Sequence, residues 1–125
     1  MYYKKELGNK GEQIATDFLI HQNYEIIENN FTCKIGEIDI IAYDKNVIPN
    51  EIVFVEVKSR IDSRCGNPAE AVDSKKRNHI YRTAEYYLYI NELENEPCRF
   101  DVIEIINHAL INHIKKAILD APKKG

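Results

Sequence analysis

The stretch GEIDIIAYDKNVIPNEIVFVEVKSR, Gly36 to Arg60, contains two strand-like runs separated by the turn-forming segment KNVIPN. Side chains alternate across a strand, so Glu37, Asp39, Ile41 and Tyr43 share one face of the first run while Ile38, Ile40 and Ala42 share the other. In the second run Val53, Val55 and Val57 form an apolar face, opposed by Ile52, Phe54, Glu56, Lys58 and Arg60. Each mixed face is apolar near the turn and charged far from it. An antiparallel hairpin matches these halves when Tyr43 faces Ile52, Ile41 faces Phe54, Asp39 faces Glu56 and Glu37 faces Lys58, with a loop over about 44–51. A one-residue slip sets an apolar face against a charged one, which hydrophobic pattern forbids; registers two residues away keep the same parity.

This pairing brings Asp39 and Glu56 within about 5 Å at Cβ, where like charges destabilise a sheet. A divalent cation compensates naturally, because Mg²⁺ takes hard oxygen ligands, commonly one or two carboxylates completed by water and phosphate oxygens. Lys58, two residues along the same face as Glu56, is near enough to act on a water or a phosphate. The competing reading is a solvated, charged face on one side of an antiparallel sheet.

Working outward, Leu7, Gly11, Ile14, Ala15, Phe18 and Leu19 recur at helical spacing and predict a helix over about 6–22, closed by Asn23. YEIIENNF is the strand that precedes the hairpin. After it, a helix runs from about Ser74 to Glu92 with Asp73 as its N-cap. Val72, Lys76, Ile80, Thr83 and Tyr87 share one side of that helix, so Lys76 interrupts an apolar stripe, either as a snorkelling lysine or as a functional one. Glu12 sits at the margin of the first helix's apolar face, as a flanking surface acid or a site residue. CRFDVIEII alternates and predicts a fourth strand; HALINHIKKAILDAPKK fits either a strand with a short helix or one amphipathic helix. The order implies a mixed sheet with helices packed on it.

A chain of 125 residues suits one domain over 1–125, with an irregular tail from about 119. With 44% hydrophobic and 30% charged residues it belongs with ordinary globular proteins, and without a long apolar run we expect a cytoplasmic protein with no membrane partner. The net charge of -3 argues against a protein that coats nucleic acid, though local basic patches remain compatible with it. Cys33, Cys65 and Cys98 have no metal-ligand spacing and read as incidental thiols; His21, His79, His108 and His113 read as surface or packing residues. Tyr81, Tyr86, Tyr87 and Tyr89 crowd one helix, so some must leave the core face, either at its edge or in a homodimer contact.

Asp39, a spacer, then Glu56, Val57 and Lys58 resembles the PD-(D/E)xK nuclease signature, with Ile38 in place of its proline. The wider series GNKGEQIA, GEIDIIA, FVEVKSR, AVDSKKRNHI, AEYYL and RFDVIEI, covering about Leu7 to Ile118, is similar to the YraN-like uncharacterised bacterial proteins. These in turn look like archaeal Holliday junction resolvases. The resemblance implies an α/β, restriction-endonuclease-like mixed sheet flanked by helices. It implies that Asp39 and Glu56, with the Val57 carbonyl and Glu12, bind Mg²⁺ or Mn²⁺. Lys58 would then orient or activate the attacking water, and Lys76 would approach the phosphate. Gly36 would allow a close approach and Glu37 would hold the Lys58 amine. Thr32 stands where related chains often carry a basic residue, and the overall acidity is unlike a resolvase.

The function expected is metal-dependent endonucleolytic hydrolysis of nucleic acid, most simply structured or branched DNA, with Lys58, Arg60, Lys75, Lys76, Arg77 and Arg82 contacting phosphates. The alternative is a non-catalytic nucleic-acid-binding module on the same fold.

Overall fold

In the computed structural model the hairpin forms as β2 (Glu37–Asp44) and β3 (Glu51–Arg60), in the expected register: Tyr43 pairs with Ile52, Ile41 with Phe54 and Ile40 with Val55. The structure describes residues 2–61 and 74–117, and side chains over 10–61 and 75–117. Asp73, Val72, Cys65, the Leu7 side chain and the tail from about 119 therefore lie outside the described residues. The other elements are α1 (Tyr2–His21), β1 (Tyr24–Thr32), α2 (Ser74–Ile90), β4 (Cys98–Ile106) and β5 (Leu110–Ile114). The strands make one five-stranded sheet in the order β1-β2-β3-β4-β5. Every neighbouring pair is antiparallel except β3 and β4, whose parallel pairing spans Ile52–Cys98 to Arg60–Ile106 and needs a crossover, the connection that contains α2. The fold is thus a mixed sheet flanked by helices, as a restriction-endonuclease-like architecture requires.

The boundaries carry their own chemistry. Asn23 adopts the left-handed conformation (φ 68°) that ends α1, and Glu92 (φ 56°) does the same two residues past α2, where Leu93 N–H reaches back to the Leu88 carbonyl at 2.8 Å. Hence α2 stops at Ile90 rather than Glu92. The tail's strand alternative is realised in β5, which pairs along β4 from Ile106–Leu110 to Val102–Ile114. Among the described residues no helix is long and apolar enough to cross a membrane.

Two cores separate the layers. Ala15 and Leu19 of α1 pack with Ile40, Ala42, Val53, Val55, Ile103 and Ile105; Ala84 and Tyr87 of α2 pack with Ile41, Ile52 and Phe54 on the other face. Ile38 departs from its expected face. It packs with Phe31 in the α2-side core instead. The cause is Asn30, whose left-handed backbone (φ 53°) lies between the Asn29–Ile40 and Phe31–Ile38 pairs and breaks the alternation of the β1–β2 ladder.

The resemblance gives Gly36 a close approach of backbone or substrate; its tight neighbour is instead a side chain of α2, since a Cβ there would lie 2.9 Å from Thr83 Oγ1, which is held by donating to the His79 carbonyl at 2.7 Å. Because that hydroxyl has a bond to lose, Gly36→Ala should destabilise the fold by about 1–3 kcal/mol, read as a lowered midpoint in denaturant. Full stability in this variant would mean that α2 is not seated against the turn.

Candidate metal and catalytic site

The β2–β3 ladder ends at Ile40–Val55, one step before Asp39 and Glu56. Asp39 therefore sits where β2 has lost regular pairing towards β3 and, across Asn30, towards β1. Its carboxylate fills the vacancy by accepting the Val57 N–H at 2.8 Å. Glu56, 7% exposed, projects from β3 towards α2, where Lys76 Nζ lies 3.5 Å from Oε2. Lys58 follows on the same face, half-buried.

Charge is concentrated at this break. Burial pushes the Glu56 carboxyl up to about 7, and the nearby Asp39 carboxylate adds to the rise against the pull of Lys76 and Lys58. Asp39 is raised as well, by burial first and by Glu37, although the Val57 amide opposes this. The two lysines divide their roles. Burial, a hydrogen bond shared with Lys76 and the charge of that second amine lower Lys58. For Lys76 burial acts downward, but Lys58 and Glu56 outweigh it and the ammonium form is favoured.

Glu12 reaches the same region from α1. Burial and the Asp39 charge raise its carboxyl, while an Asn30 hydrogen bond lowers it, and its Oε1 is buried with no hydrogen-bond partner. Glu12 also lines a polar cavity of about 320 Å³ with Gln13, Thr16, Asn29 and Asn30. Asn30, which sequence pattern did not single out, both breaks the ladder and steadies Glu12. Its signal was the NN pair inside β1, whose register shift lies elsewhere, between Ile26 and Glu28.

The donor set suits a hard divalent cation: carboxylates only, mutually repelling, one with an orphaned buried oxygen. Among the described residues, however, no three His, Cys, Asp or Glu side chains already converge as ligands.

The remaining expected residues are dispersed. Arg60 turns into a buried pair with Glu104, Nε to Oε2 at 2.8 Å, with its own side chain only 11% exposed. Lys75 and Arg82 are exposed on α2 and Arg77 is half-buried there. Glu37 is exposed and acts on Asp39 and Glu12 as a like charge; the ladder ends before it can oppose Lys58. Val57 meets Asp39 through its N–H.

Sequence reading missed a second charged centre at the opposite end of the hairpin. Arg99 Nη1 donates to Asp44 at 2.7 Å and Glu51 at 2.9 Å, Nη2 to the Tyr24 hydroxyl at 2.8 Å, and Nε to Asp101 at 3.1 Å. His113 Nε2 lies 2.7 Å from Asp101, so this histidine is a buried partner rather than a packing residue alone. The detectable sign was Arg99 and Asp101 on one face of an apolar strand. Among the described residues Cys33 and Cys98 are free thiols.

Comparison with known proteins adds a family. A family model described as "Uncharacterised protein family UPF0102" matches residues 11–105. A UPF0102 protein of Clostridium botulinum (strain Loch Maree / Type A3) is 46% identical over 122 residues, 96% of each chain. One from Clostridioides difficile (strain 630) is 47% identical over 114 residues, covering 90% of this chain and 96% of that protein.

Proposed function

Since the chain belongs to the UPF0102 family, whose description assigns no activity, we propose from its own side chains that it is a metal-dependent phosphodiester hydrolase acting on nucleic acid. The observation that carries this reading is the meeting of Asp39, Glu56, Lys58 and Lys76 where the β2–β3 ladder opens. Asp39, Glu56 and Glu12, with the Val57 carbonyl, are the groups that would hold Mg²⁺ or Mn²⁺. When bound, the ion supplies Lewis acidity to the phosphate and its water.

The chain's own residues do the rest. Lys58, held below its ordinary lysine range by burial and by Lys76, is the group placed to accept at Nζ the proton of the attacking water. The water oxygen bonds to phosphorus, the bond to the leaving sugar oxygen breaks, and that oxygen takes a proton from solvent. Lys76 stays protonated and 44% exposed, which lets it offer charge to a phosphate oxygen. Lys75 and Arg82 extend the positive face of α2, and such phosphate contacts position a strand without reading its sequence. The sequence resemblance makes branched DNA the substrate class to test first, by analogy alone, since a shared fold does not fix a substrate. A second reading keeps the exposed cations of α2, Lys75 and Arg82, as phosphate contacts of a binding module without catalysis.

Incubation with branched, nicked and single-stranded DNA and with RNA, in Mg²⁺ or Mn²⁺, separates the two. Cleavage lost in Asp39→Ala by about 10³-fold or more is expected, the several kcal/mol that metal charge contributes at 1.36 kcal/mol per tenfold. Binding with no cleavage under any of these conditions selects the module.

A further inference from the structure

A cavity of about 470 Å³ lies between the β1–β2 turn and the C-terminal half of α2, lined by Phe31, Thr32, Cys33, Lys34, Ile35, Tyr86 and Ile90. Its walls are mainly apolar and include rings and aliphatic chains, while the exposed Lys34 supplies a positive charge at the rim. Tyr86 and Ile90 are 41% and 48% exposed, unlike Tyr81 and Tyr87 of the same helix, which are buried. Sequence crowding of tyrosines thus resolves into two that serve the core and others that do not.

The cavity and the proposed catalytic site lie at different levels of α2, on either side of the contact between Gly36 and Thr83. On α2, Lys76, His79, Thr83, Tyr86 and Ile90 follow one another at three- and four-residue intervals, which makes a single stripe along the helix. Gly36 packs against the middle of that stripe, at His79 and Thr83, and leads through Glu37 to Asp39. From Lys76 to Tyr86 the helix rises about 15 Å, equal to about four stacked nucleotide steps. A strand that has a phosphate at Lys76 and follows the direction of α2 reaches the level of the cavity a few nucleotides away.

We propose that this cavity binds an unpaired base of the substrate strand, stacked on Tyr86 against Ile90, with a neighbouring phosphate on Lys34. The inference rests on the nuclease reading and narrows its substrate to nucleic acid with unpaired nucleotides near the scissile bond. A paired base is already stacked on both faces and cannot enter. An apolar wall with one cationic rim residue suits a base attached to a phosphate better than it suits a purely apolar partner. The 1–3 kcal/mol typical of base–aromatic stacking makes the contact selective for structure while tolerant of sequence.

The test uses the full chain in EDTA, which removes cleavage from the measurement, with fluorescence anisotropy of a labelled single strand, a bulged duplex and a blunt duplex. Tyr86→Ala should weaken binding of the single strand and the bulged duplex by about five- to 150-fold, the stacking contribution at 1.4 kcal/mol per tenfold. Blunt duplex binding should be unchanged, Tyr86→Phe should bind as the parent does, and Lys34→Ala should reduce the salt dependence of single-strand binding. Equal loss on all substrates, or no loss in Tyr86→Ala, overturns the proposal. So does a parent dimer that Tyr86→Ala dissociates, which would assign the face to a second copy. A parent that binds blunt duplex yet ignores unpaired strands sinks this inference alone, whereas one that binds no nucleic acid sinks the nuclease reading with it.

Discussion

Glu56→Gln is expected to abolish cleavage and, in the absence of metal, to make the protein more stable at neutral pH. Both effects have one origin. The buried Glu56 carboxyl is pushed up to about 7 from the ordinary 4.5, first by burial and then by Asp39. An acid raised in the folded state contributes stability that is fully present below pH 4.5 and is lost as pH climbs through about 7. At 1.36 kcal/mol per tenfold change in proton affinity, the loss approaches about 3 kcal/mol at pH 8. Glutamine has no such charge to bury, so urea midpoints of the variant in EDTA should stay level from pH 5 to pH 8 where the parent's fall. Lys76 loses the Glu56 charge in the variant, but it is well exposed and the change is screened at little cost. Mg²⁺ should restore the parent's stability above pH 7, have little effect near pH 5, and leave Glu56→Gln unmoved. A variant less stable than the parent at pH 8 without metal would mean that Glu56 is not crowded by Asp39, and the site would have to be abandoned.

The hairpin behind this prediction was legible because its two strands each change from apolar to charged halfway along, so that only one parity aligns the halves. Local pattern also placed α1, β1, β4 and the apolar stripe of α2 that Lys76 interrupts. It failed where backbone conformation overrides alternation: Asn30 turns left-handed, and Ile38 then packs with Phe31 on the α2 side rather than with Ile40 and Ala42. It failed again where the partner comes from distant sequence. Arg60 looked like a phosphate contact because Glu104, which buries it, lies on a strand brought alongside by the parallel crossover. The Val57 amide that holds Asp39 could not be foreseen, since a ladder's end is a property of two strands together.

Arg99→Met is expected to cause the largest loss of stability, about 3–5 kcal/mol, with the site's chemistry intact in whatever remains folded. The guanidinium is buried and holds Asp44, Glu51 and Asp101 together near the hairpin loop. Burial acts upward on Asp101, yet hydrogen bonds from His113, Arg99 and the Lys116 N–H outweigh it and keep the carboxyl low. Asp44 is low for similar reasons, with the Asn46 N–H and Arg99 overcoming burial. Methionine fills much of the same space but supplies no donor, which leaves buried carboxylates without their cation. Of the 5–15 kcal/mol typical of a domain this is a large fraction, and Tm should fall by more than about 10 °C. The pH dependence identifies the cause. In the parent, acids lowered by folding contribute stability above their ordinary value of 3.8 and lose it as pH falls through their folded values. In the variant those acids are raised instead, so protonation relieves them, and the gap between variant and parent should be widest near pH 7.5 and narrow towards pH 4. Adding Asp101→Asn to Arg99→Met should recover part of the loss at neutral pH, because it removes the most deeply buried of the stranded charges. A gap that is independent of pH would reduce Arg99 to a packing residue and leave its three carboxylates without an energetic role.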